Sequence, residues 1–302
     1  MLLIALACTR SPPADSGPTE VPWSSQRPRL DLQQRDRSWA RGIVHLHSPW
    51  SHDACDGAMG DDGEFIEDCL MDLRAGLCQA GMDFAYLTDH PSSAAYQDYD
   101  ELKNLREGDE DLGNAGVLDC GTLYMPGIED ELMPVGLDQH VPGTAEERDQ
   151  LLNSTDQAAI DAMIAAGGIV LQAHTEGREP ELLLDQQAMG QTGVEIFNLH
   201  AMFAPDIRSE DLGLSATGWV EDMAPFTAGE AEPDLFYMAV HQAQEPSLER
   251  WDMLLAQGPS VGVAGTDAHQ NVLNLEMADG ERVDSYRRMI SWFSNWLLID
   301  EL

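Results

Sequence analysis

Neutral imidazoles and carboxylates both offer lone pairs to divalent cations, so a chain that gathers them at short spacings is equipped for metal-assisted chemistry. This chain has nine histidines. Seven fall in short motifs: His45-Leu46-His47, the loop residue His52, Thr88-Asp89-His90, Gln172-Ala173-His174, Asn198-Leu199-His200 and Gly265-Thr266-Asp267-Ala268-His269. Glu129 closes a further motif, Gly127-Ile128-Glu129. His45/His47 and Asp267/His269 are i,i+2 pairs. In an extended segment such side chains point the same way, so each pair can grip one ion. His140 and His241 stand outside these motifs and read as structural. Asp89, beside His90, reads as a residue behind the ligands.

The donors follow short apolar runs. Runs at 43–46, 83–88, 122–128, 169–173, 193–197 and 260–264 read as strands, the third weakened by Pro126. Between them, 64–80, 155–166 and 246–257 have helical spacing, with Phe65, Ile66, Cys69, Leu70, Leu73 and Leu77 on one face of the first. Alternating strands and helices indicate an α/β fold. Donors that collect after strands point to a TIM-like barrel with its site at the C-terminal strand ends. Residues 201–240 read as an irregular acidic insertion over that site. Residues 286–299 are amphipathic and fit either helix or strand.

Taken in order, the H-x-H pair, a loop histidine, T-D-H, G-x-E, two isolated strand-end histidines and D-x-H resemble the polymerase and histidinol phosphatase (PHP) family over about residues 40–275. The resemblance implies a distorted (β/α)7 barrel and a metal-dependent phosphoesterase with two or three divalent ions (zinc, manganese or iron). Position by position, it implies that His45, His47, Glu129 and Asp267 hold one ion, and that His52, His90 and His269 hold a second. Glu129, bridging, would hold a third with His174 and His200. The loop after His47 also contains Asp53 and Asp56, either of which could replace His52, the preferred donor. No side chain is required as a catalytic group beyond a water on the ions, whose pKa would fall from about 15.7 to near 7. An arginine would help clamp a phosphate; the candidates are Arg178, Arg208 and Arg287, with Arg288 beside it.

Lys and Arg number 16 against 54 Asp and Glu, a formal charge of −38. Such a surface repels nucleic acid and anionic membranes, which argues against a nuclease role. The expected substrate is a small phosphate ester. A carboxylic ester or amide is the alternative at the same site, and a non-catalytic metal-binding surface module is a second alternative. No apolar stretch approaches the roughly 18 residues of a membrane span. Residues 1–7 followed by Cys8 resemble a lipoprotein signal without the usual basic start. Lipidated Cys8 would tether the protein to a membrane outside the cytoplasm. Residues 9–38, rich in Pro, Ser and charge, read as a flexible linker, and 39–302 as the catalytic domain. In an oxidising compartment Cys55, Cys69, Cys78 and Cys120 permit two disulfides with three possible connectivities.

Overall fold

A computed structural model of the chain describes residues 33–34, 37–57 and 65–300. Cys8 and most of the linker segment lie outside these residues; 33–34 and 37–38 fall in strands. Eleven strands are described: β1 (Gln33–Gln34), β2 (Arg37–Ile43), β3 (Phe84–Asp89), β4 (Glu110–Asp111), β5 (Gly116–Val117), β6 (Leu123–Ile128), β7 (Met133–Val135), β8 (Ile169–Gln172), β9 (Gly193–Asn198), β10 (Val261–Gly265) and β11 (Asn295–Ile299).

They form two open sheets rather than the expected barrel. One has the order β1-β2-β3-β6-β5-β4, with β11 also paired to β2; the other has the order β10-β9-β8-β7. The pairs β2/β3, β3/β6, β8/β9 and β9/β10 are parallel, while β7 runs antiparallel to β8. Pro126 in β6 and Pro134 in β7 remove N–H donors that a ladder between β6 and β7 would draw on. At the opposite boundary the sheets meet, among the described residues, in a single bridge, Leu46 to Ala268. There Asp267 N–H donates to His45 O at 2.9 Å and His47 N–H to Ala268 O at 3.2 Å. The bridge sets the two i,i+2 donor pairs side by side.

The expected strand at 43–46 lies earlier, ending at Ile43, so His45 and His47 sit just beyond it. Residues 201–240 are more ordered than expected: helices Gly218–Thr227 and Phe236–Val240 put Trp219, Met223, Phe226 and Phe236 into the largest apolar core. Residues 286–299 divide into a helix, Tyr286–Ile290, and β11.

Helix Glu67–Ala80 begins with two acids, Glu67 and Asp68, which suit the positive end of the helix dipole. It ends at Gly81, whose φ of 63° glycine adopts without strain. Its buried face packs against helix Tyr286–Ile290 so closely that a Cβ at Gly76 would lie 2.8 Å from Arg287 N.

Two disulfides tie this helix down, Cys55–Cys69 and Cys78–Cys120, with Cα separations of 6.0 and 5.8 Å. The second closes a span of 42 residues. Removing that constraint from the unfolded chain by changing both Cys78 and Cys120 to alanine should lower stability by about 4 kcal/mol. Urea unfolding reads this directly; a loss below about 1 kcal/mol would contradict it.

Candidate metal centre

Each donor is placed by a chain turn just past a strand. His90 follows β3, Glu129 follows β6, His174 lies two residues past β8, His200 two past β9, and Asp267 two past β10. The turns are tight enough to force left-handed backbone on non-glycine residues: His174 (φ 48°), Asp267 (φ 49°) and Gln270 (φ 57°), with Cys55 (φ 54°) and Asp56 (φ 63°) in the neighbouring loop. Each such residue costs on the order of 1 kcal/mol or more, and such strain clusters where a site over-determines its backbone. Asp89 holds the turn after His47, accepting from Ser48 N at 2.6 Å and Ser48 Oγ at 2.7 Å.

The side chains converge. His45 Nε2 and His47 Nε2 lie 3.1 Å apart, and Asp267 Oδ1 lies 3.3 and 3.2 Å from them. His174 Nε2 is 3.2 Å from Asp267 Oδ2. On the other side Asp53 Oδ2 lies 3.3 Å from His90 Nε2 and 3.2 Å from His269 Nε2. Glu129 Oε2 is 2.9 Å from His90 Nδ1, and Glu129 Oε1 is 3.8 Å from His174 Nε2. Donor atoms fall into overlapping groups: His45/His47/Glu129, His45/His174/Asp267, His47/Asp53/His90/His269 and His200/Asp267/His269.

These atoms fit divalent cations better than they fit one another. Charge-assisted hydrogen bonds are usually 2.7–2.9 Å, shorter than most of the contacts above. Ligands about 2.0 Å from a tetrahedral ion stand about 3.3 Å apart, which is the recurring spacing here. Among the described residues, buried Asp267 Oδ1 and His200 Nδ1 have no hydrogen-bond partner.

The electrostatics point the same way. Burial opposes charge on His90, yet Asp53 and Glu129 outweigh it and raise its pKa to about 11. Burial likewise opposes charge on His45, but Asp267 and Glu195 lift it to about 9. Burial would raise Glu129, but His90, His45 and His174 bring it down to about 2. His47 is pressed to about 3 by burial and by His269, and His200 to about 4 by burial. Burial moves Asp89 up to about 6. The buried carboxylates are thus held ionised by neighbouring imidazoles that carry the proton, a balancing charge that a bound cation would supply in their place.

Of the nine expected donors, eight come together: His45, His47, His90, Glu129, His174, His200, Asp267 and His269. Asp53, one of the loop alternatives, lies among them, while His52 is exposed, its ring 4.9 Å from that of His90 and its Nδ1 3.2 Å from Ser92 Oγ. Asp56 pairs with Arg282. If Asp53 is a donor, Asp53→Ala should weaken one ion by more than the about 10–100-fold that loss of an outer partner costs, whereas His52→Ala should leave ion affinity within about twofold. Metal content after dialysis against graded chelator separates the two; the opposite ranking would restore His52.

The structure engages the three candidate arginines elsewhere. Arg178 pairs with Glu131, and its Nε donates to Ala173 O at 3.3 Å. Arg208 is buried, with Nε donating to Ser215 O at 2.8 Å and Nη1 donating to Met202 O. Arg287 grips Asp234 at 2.6 and 2.9 Å and Glu281 at 2.8 Å. His140 bonds Gln97 O, and His241 packs on Phe197.

Sequence reasoning passed over three residues behind the donors. Glu176 Oε1 lies 3.0 Å from His174 Nδ1, Glu195 Oε1 lies 2.8 Å from His45 Nδ1, and Asn198 Nδ2 lies 3.0 Å from Asp267 Oδ2. The available signal was Glu195 itself, a lone acid inside the apolar strand Gly193–Asn198; a buried acid needs a partner.

No family model matches the chain, and no curated protein matches it. Among solved structures, a two-domain protein from Bacteroides vulgatus ATCC 8482, containing a predicted PHP-like metal-dependent phosphoesterase, is 14% identical with a TM-score of 0.36. That match covers 59% of this chain, which spans only half of that protein's length. PsfC from Pseudomonas syringae PB-5123 is 11% identical, with a TM-score of 0.42 and 86% and 91% of the two chains covered. The lesion-specific endonuclease PfuEndoQ from Pyrococcus furiosus is 10% identical, with a TM-score of 0.36 and 86% and 57% covered. Likenesses this distant assign neither a family nor an activity.

Proposed function

We propose that the protein is a metal-dependent hydrolase acting on small phosphate esters at a centre of two or three divalent ions. The observation that carries this reading is the set of six histidines, Asp53, Glu129 and Asp267 with repeated donor separations of 3.1–3.3 Å. The PHP-like order of the motifs supports it. Asp53, His90 and His269 would hold one side of the centre; His45, His47, His174 and Asp267 would hold the other, with Glu129 between. Such ions, when bound, acidify a water for attack and withdraw charge from the ester group. The chain's own part is to orient the donors, through Asp89 on the His47 turn and Glu176 on His174, and to keep the donor carboxylates ionised.

A carboxylic ester or amide is the second reading. It is favoured by the arginines, since Arg178, Arg208 and Arg287 are each already engaged by protein carboxylates or carbonyls. The acidic surface supports a small substrate rather than nucleic acid. Two disulfides support residence in an oxidising compartment. Among the described residues no helix is long and apolar enough to cross a membrane.

Metal analysis of purified protein, with p-nitrophenyl phosphate and p-nitrophenyl acetate assayed before and after chelation, tests the proposal. Two or three ions per chain and phosphate release that chelation abolishes and manganese or zinc restores are expected. Acetate cleavage without phosphate release would select the second reading. Bound ions without turnover on either would indicate a metal-binding module, and fewer than two ions per chain would overturn the proposal.

A further inference from the structure

Glu195 is a carboxylate in the middle of an apolar strand, between Val194 and Ile196, and it is completely buried. Such a placement is costly unless every lone pair is used. Both oxygens are committed. Oε1 lies 2.8 Å from His45 Nδ1. Oε2 accepts from the backbone N–H of left-handed His174 at 3.0 Å and from Asn198 Nδ2 at 3.1 Å. The same Asn198 amide donates to Asp267 Oδ2 at 3.0 Å. Glu195 thus reaches His45 and His174 directly and Asp267 through one intermediary. The opposing chain leaves room for it: a Cβ at Gly265 would fall 1.6 Å from Glu195 Oε1, so β10 passes this carboxylate with a glycine.

We propose that Glu195 is the positioning residue for the half of the centre built on His45, His174 and Asp267, and that it does not serve the half built on Asp53, His90 and His269. By accepting the Nδ1 proton it fixes the His45 tautomer, so that Nε2 presents its lone pair beside His47 Nε2 and Asp267 Oδ1. A carboxylate behind a ligating imidazole also raises the ring's basicity, and losing such a partner costs about 10–100-fold in ion affinity. The inference rests on the metal reading of the centre; its own content is the asymmetry between the two halves.

Cobalt(II) titration of the full chain after chelation, followed by visible absorption and by metal content after dialysis, tests it. In Glu195→Gln one ion should weaken by about 10–100-fold while another keeps wild-type affinity. Asp53→Ala should show the reverse pattern, with the ion that Glu195→Gln spares now the weakened one. Asn198→Asp keeps the acceptor oxygen for Ala201 N but replaces the donor shared by Glu195 and Asp267. It should reproduce the Glu195→Gln pattern, and it carries the test if Glu195→Gln does not fold. A general loss of structure would weaken all ions together and lower the melting temperature of the chelated protein. Equal weakening of every ion, or unchanged binding in both variants, would overturn the inference alone. A wild-type chain that takes up no cobalt would overturn the metal reading, and the inference with it.

Discussion

Asp267→Asn should lower ester turnover by more than about 10³-fold, equivalent to about 4 kcal/mol of transition-state stabilisation, and should strip ions from the centre. The substitution preserves shape, so the effect isolates one atom. Asp267 Oδ2 accepts from Asn198 Nδ2, while Oδ1 stands between His45 Nε2 and His47 Nε2. An amide has one oxygen and one NH2. Whichever way it turns, a donor faces either the Asn198 amide or the paired imidazoles. Asp267 also joins two of the four overlapping donor groups, one with His45 and His174 and one with His200 and His269, so no neighbour can replace it. Steady-state kinetics with parallel metal analysis checks this. Turnover within tenfold of wild type would place the chemistry elsewhere.

The second large effect is on stability. Asp234 is buried and receives two arginines: Arg287 in a bidentate grip and Arg288, which is fully buried and also binds Asp279 at 2.9 Å. Asp234→Ala would leave these guanidiniums short of a carboxylate away from water, at a cost of about 3–5 kcal/mol. The same experiment on Glu67, which pairs with Arg106 at the surface, should cost under about 1 kcal/mol. Urea unfolding of both variants gives the comparison. Equal losses would show that burial is not what makes the Asp234 network matter.

The centre was more legible than the fold. The i,i+2 pairs and the strand-end histidines declare themselves because donor type and strand periodicity are both local properties. His52 and Asp53 are adjacent and both competent, and only the course of the loop decides which faces inward. That course is set by the distant contacts Cys55–Cys69 and Arg282–Asp56, separated by 14 and 226 positions. The arginines misled for the same reason: Arg287 meets Asp234 across 53 residues. The strands themselves were readable, but barrel closure depends on whether β6 and β7 can share a ladder, and the alternation of strands and helices does not encode that. The helix Ala145–Leu152 was overlooked although Thr144 and Glu147 spell its capping box; its small apolar content hid it.

The Cys55–Cys69 bond implies an order of assembly. It anchors the loop that carries Asp53 to helix Glu67–Ala80, and Cys55 N–H bonds His269 O at 2.7 Å beside another donor. In a chain made under reducing conditions, Asp53 would depend on the Arg282–Asp56 pair and a few backbone bonds for its place. Oxidation should therefore precede loading, with the thiols joined first and the ions captured second. Protein recovered from a reducing cytosol would then be metal-poor in a way that added metal alone does not repair, and oxidative refolding before metal addition should restore full occupancy.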